Sequence, residues 1–118
     1  MDFKSTVTAI GELVAEFRAE GVIIVFNNNA PPELAEMSVL HTIVSLDRDV
    51  KPDDVVILGN KDYVVTAVGE EANYTLRKMG HCTFKFSGLN TPESPGHIEL
   101  KGNMPDIKAG DPFEILFT

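Results

Sequence analysis

Apolar residues fall in short runs along this chain, many alternating with polar ones, as strands with one wet face require. Phe3 to Ile10 mixes Thr6 and Thr8 with Val7 and Ile10, and Gly11 ends that predicted strand. Leu13, Val14 and Phe17 recur at helical spacing among Glu12, Glu16, Arg18 and Glu20, which predicts a short amphipathic helix capped by Gly21. Val22 to Phe26 is apolar without a break, the pattern of a strand covered on both faces. The tract Asn27 to Pro32 reads as a turn, and Pro31 to Glu36 as a one-turn helix with Glu33 and Glu36 near its positive end.

Met37 to Leu46 reads as a buried strand centred on His41. Parity places Val39, His41 and Ile43 on one face and Leu40, Thr42, Val44 and Leu46 on the other. Val55 to Leu58 and Tyr63 to Val68 form a predicted β-hairpin about Gly59-Asn60-Lys61-Asp62. Glu70 to Met79 follows as a short helix with Ala72, Leu76 and Met79 on one face and Gly80 as its left-handed cap. His81 to Ser87 alternates with Cys82, Phe84 and Phe86 inward, which leaves His81 on the polar face. Beyond the loop Gly88 to Gly96, Ile98 and Leu100 face in, while His97, Glu99 and Lys101 face out and His97 reads as solvent-exposed. Phe113 to Phe117 is the last strand.

Val50 to Asp54 with Ile57 echoes Ile107 to Asp111 with Ile115. Recurrent turn chemistry explains so short an echo as well as a duplication does. Seven or eight strands and two brief helices give an all-β class, a small, mostly antiparallel barrel or sandwich.

At 118 residues the chain forms one domain, residues 1–118, that buries roughly two thirds of the surface its unfolded form exposes. No apolar run approaches a membrane span and the N-terminus has no secretory pattern, so a cytoplasmic protein without membrane insertion is expected. Cys82 is the sole cysteine and has no disulfide partner. The net charge of −8 disfavours nucleic acid, which needs clustered cations, and suits a basic protein partner.

Phosphate-loop, dinucleotide-binding, zinc-protease and nucleophile-elbow motifs are absent. His41, His81 and His97 lie in separate predicted strands with no close pair at ligand spacing, so neither a metal nor a cofactor is expected. His41 between β-branched apolar neighbours is a candidate nucleophile, because a desolvated imidazole stays neutral and keeps a lone pair. The same residue also suits a core wall with both nitrogens hydrogen-bonded. Ser38, Thr42, Thr83 and Lys85 are candidate donors to a transferred phosphoryl group.

Ala30-Pro31 ten residues before His41, Val65-Thr66-Ala67-Val68-Gly69, Leu76-Arg77 with Gly80-His81-Cys82-Thr83, Gly88-Leu89-Asn90 and Pro95-Gly96 occur in that order. The chain thereby resembles the glucitol/sorbitol-specific enzyme IIA components of the bacterial phosphotransferase system. The resemblance implies a partly open β-barrel phosphocarrier. Its histidine, here His41, takes a phosphoryl group through its distal nitrogen from phospho-HPr and passes it to the IIB part of a IIB/IIC glucitol/sorbitol permease. His81 falls in the shared Gly-His-x-Thr segment, where its position suggests a supporting donor. Some relatives carry a second histidine two residues beyond the phosphorylated one, and here that place is Ile43. The alternative from another class is a non-catalytic barrel that binds a partner and regulates sugar uptake.

Overall fold

The computed structural model describes residues 2–118. Its strands are β1 (Phe3–Ile10), β2 (Val22–Asn27), β3 (Val39–His41), β4 (Val55–Leu58), β5 (Lys61–Val68), β6 (Cys82–Lys85), β7 (His97–Lys101) and β8 (Pro112–Leu116). Three short helices, α1 (Val14–Ala19), α2 (Pro32–Ala35) and α3 (Ala72–Met79), lie between them. The strands close in the order β1-β3-β2-β6-β7-β5-β4-β8. The barrel is therefore closed rather than partly open. Only β2 with β3 and β6 with β7 run parallel, so the antiparallel majority holds.

Closure follows from the alternation. Phe3, Ser5 and Val7 of β1, Val56 and Leu58 of β4, and Phe113 and Ile115 of β8 all point into one interior, where they are buried. Phe84 is wholly buried among them, so truncating it to Ala would cost about 3–5 kcal/mol. The hairpin between β4 and β5 is tighter than expected, because Lys61 and Asp62 pair with Leu58 and Ile57 and leave only Gly59 and Asn60 to turn.

The short sequence echo is part of a repeat that spans the barrel. Ser5 pairs with Phe113 as Tyr63 pairs with Val56. Both β1 and β5 carry a bulge against their antiparallel partners β3 and β7, between Val7 and Ala9 and between Val65 and Ala67. Gly11 N–H donates to Ser38 O at 2.9 Å, and Gly69 N–H to His97 O at 2.7 Å. Asp54 accepts from Lys51 N–H at 2.8 Å, as Asp111 does from Lys108 N–H at 2.9 Å. Asp53 N–H donates to Val65 O, and Gly110 N–H to Val7 O, each at 2.8 Å. The halves are related by a pseudo-two-fold axis that passes between Ile24 and Thr83 and between Ile57 and Glu114.

Three features depart from the sequence pattern. The strand at His41 does not extend to Leu46: it leaves the sheet after His41, and Ile43 is 58% exposed. Met79, on the face of Ala72 and Leu76, is nonetheless 38% exposed at the end of α3. Glu99 points to the outer face as parity requires, yet it is buried, because the loop before β7 folds over it and half-covers His97.

Candidate functional site

His41 ends β3 with its ring turned into the barrel. Register explains the placement: β3 lies between β1 and β2, so His41 sits opposite Val7 and Asn27. The ring edge meets Phe113 at 4.9 Å and Phe3 at 6.2 Å between centroids. His41 has no exposed surface.

Both ring nitrogens face hydrogen-bonding groups. Nε2 lies 2.8 Å from the carbonyl of Gly80, while Nδ1 lies 2.9 Å from the carbonyl of Thr42 and 3.1 Å from Ser5 Oγ. Carbonyl oxygens only accept, and a neutral imidazole has one proton. A charged ring would satisfy both carbonyls. Burial outweighs them and holds the His41 pKa below its ordinary value of 6.5, so the neutral ring is favoured. With the proton on Nδ1, Thr42 O is served and Nε2 keeps a lone pair directed at Gly80 O. With the proton on Nε2, Ser5 can donate to Nδ1.

Gly80 closes the pocket. It caps α3 at φ +62°, and a Cβ there would collide with the Asn27 side-chain oxygen and sit 2.8 Å from His41 Cε1. Asn27 is buried, and its Oδ1 has no hydrogen-bond partner. Ser5 continues the network outward, with its hydroxyl 2.8 Å from both the Thr42 carbonyl and Thr42 Oγ1.

His81 follows Gly80 directly and is half-buried. Its Nδ1 donates to Val25 O at 3.1 Å and its ring packs on Phe26 at 5.0 Å, so it shares no hydrogen bond with His41. Thr42 reaches the site because the chain leaves the sheet after His41 and strand parity lapses. The other candidate donors lie elsewhere. Ser38 Oγ donates to Leu34 O, and Lys85 Nζ donates to Glu20 O. Ser5, Asn27 and the Gly80 carbonyl were not singled out from sequence; only the predicted cap at Gly80 pointed toward one of them. Cys82 is buried with its thiol pKa pushed well up, which makes it inert.

Comparison with known proteins matches residues 2–114 to the family of PTS system glucitol/sorbitol-specific IIA components. The glucitol/sorbitol-specific EIIA components of Escherichia coli K12 and Shigella flexneri are each 36% identical over 104 residues, covering 88% of this chain and 85% of theirs. The crystal structure of a PTS system IIA component from Enterococcus faecalis V583 has a TM-score of 0.86 at 25% identity, covering 97% of this chain and 99% of that one. The chain belongs to the glucitol/sorbitol-specific IIA component family of the phosphotransferase system.

Proposed function

We propose that this IIA component carries the phosphoryl group on His41, taking it from phospho-HPr and delivering it to the IIB component of a glucitol/sorbitol permease in the cytoplasm. The observation that carries the reading is the Thr42 carbonyl, 2.9 Å from Nδ1. Once Nε2 is released from the Gly80 carbonyl, 2.8 Å away, the Thr42 carbonyl can hold the proton on Nδ1 and leave the Nε2 lone pair free to attack. The Nε2–phosphorus bond forms as the donor's nitrogen–phosphorus bond breaks, and that bond's electron pair returns to the donor ring. Alignment and donors to the equatorial oxygens supply most of the catalysis in such a transfer. The Ser5 hydroxyl, 3.1 Å from Nδ1, and the Asn27 side chain beside Gly80 border the ring.

Transfer requires an opened state, because the ring is buried and Nε2 faces Gly80. The neutral ring with its proton on Nδ1 favours opening, since two lone pairs oppose each other across 2.8 Å. The Nδ1 contact is with the adjacent residue, so it can travel with the ring, and β3 ends at that point. No helix among the described residues is long and apolar enough to cross a membrane.

Burial of a fully bonded ring also favours a second reading, the non-catalytic module. Incubation with phosphoenolpyruvate, enzyme I and HPr, followed by intact mass, separates the two. One acid-labile phosphoryl group is expected, absent from His41→Ala. His81→Ala should still be labelled, but more slowly, if His81 supports the transfer. Label that survives His41→Ala and is lost in His81→Ala would move the acceptor to His81, and no label with active donors would favour the binding module.

A further inference from the structure

The pseudo-two-fold axis relates two surface clefts. One, of about 300 Å³, is lined by Ile10, Glu12, Ala35, Glu36 and Leu40; its counterpart, of about 390 Å³, by Val68, Glu70, Glu93, Ser94 and Pro95. Register pairs Leu40 with Ala9 in the first half and Glu99 with Ala67 in the second, so a carboxylate occupies the position of a leucine.

Glu99 has no exposed surface, and burying a carboxylate is costly unless it is paired. Ser87 Oγ donates to Oε1 at 2.5 Å and Glu93 N–H to Oε2 at 3.0 Å. His97 Nδ1 lies 3.4 Å from Oε2, is itself buried and makes no hydrogen bond. Glu93 swings in from the loop, and one ligand atom from each of Glu93, His97 and Glu99 lies within 4.8 Å of the others. Lys85 Nζ stands 4.0 Å from Glu93 Oε1.

We infer that Glu93, His97 and Glu99 form a site for a divalent cation of the zinc type. Zinc bonds to nitrogen and oxygen of about 2.0–2.1 Å in tetrahedral geometry set ligand atoms about 3.4 Å apart, the separation already present between His97 and Glu99. Two carboxylates balance the cation's charge, and the imidazole supplies the borderline-soft ligand. Of the three, Glu93 also lines the cleft of about 390 Å³, and water would complete the coordination. An ion there ties the loop that carries Glu93 to β7, on a part of the barrel that shares no residue with the His41 site, so the role is structural and separate from phosphoryl transfer.

Titration of the full chain with zinc ions by calorimetry, after treatment with chelator, tests the site. One ion per chain is expected, with affinity reduced at least tenfold in His97→Asn and in Glu93→Gln, and unchanged in His41→Ala and His81→Ala. The wild-type melting temperature should rise with zinc, and that of His97→Asn should not. His97 and Glu93 are partly or largely exposed, so these variants avoid the buried Glu99. Absence of binding, or binding undiminished by both substitutions, overturns the assignment. So does binding that disappears in His41→Ala or His81→Ala.

Discussion

At His41 two carbonyls face a ring that has a single proton when neutral, and burial keeps it neutral. Charging this ring is harder in the folded chain than in the unfolded one, where it titrates near 6.5. As pH falls through that value the unfolded state gains the proton first. The contribution of His41 to stability is therefore complete above 6.5 and is lost as pH falls toward the lowered folded value. Denaturant midpoints taken from neutral to mildly acid pH should fall more for wild type than for His41→Gln, and equal slopes would show that the ring is not the source. Gly80 offers a second test. Gly80→Ala places a Cβ against Asn27 and His41 at a left-handed φ, so it should lower stability by at least about 1–2 kcal/mol, measured by denaturant unfolding. It should also slow phosphorylation, and wild-type kinetics and stability would mean that the cap yields freely.

The repeated turns before β4 and β8 are the same device with different loads. Asp54 is wholly buried and accepts from Lys51 N–H, Thr118 N–H and Thr118 Oγ1 at 2.8, 2.8 and 3.1 Å. Among the described residues, the Asp111 carboxylate keeps only the turn bond from Lys108 and a 3.7 Å ion pair with the same residue. Hydrogen bonds to a charged group contribute about 1.5–3 kcal/mol each, though not additively. Asp54→Ala should cost about 3 kcal/mol or more and Asp111→Ala about half as much, as read from urea midpoints; equal losses would show that the tail contacts add nothing. Elements such as these were legible in the sequence because alternation and glycine punctuation act locally. The strands, α1 and α3, and their Gly21 and Gly80 caps follow from such signals. Glu99 was misread because its burial depends on a loop that folds over an outward face, and parity carries no information about that cover. Ile43 was misread because alternation continues in sequence after the chain has left the sheet. Ser5 joins His41 only through the β1–β3 pairing, a contact across 36 residues that periodicity cannot supply.

The whole molecule is two interleaved halves, and the interleaving decides what either half can do alone. In the first half β1, β3 and β2 are contiguous, but β4 pairs only with β5 and β8, both from the second half. Its outer edges, on β1 and β2, are likewise completed by β8 and β6. A fragment ending at Gly59 thus has a strand without a partner and two open edges, and no folded monomer is available to it. A second copy can supply the missing strands through the same two-fold relation. The axial pairs Ile24 with Thr83 and Ile57 with Glu114 then become Ile24 with Ile24 and Ile57 with Ile57, both favourable across a sheet. In the other half the same operation sets Glu114 against Glu114, and like charges directly opposite destabilise a strand pair. The first half alone should therefore form a folded dimer whose circular dichroism is lost on dilution, while a fragment from Asn60 onward should remain unfolded at the same concentration. Light scattering that found a folded monomer of either half, or an equally stable dimer of the second, would show that the repeated register does not govern assembly.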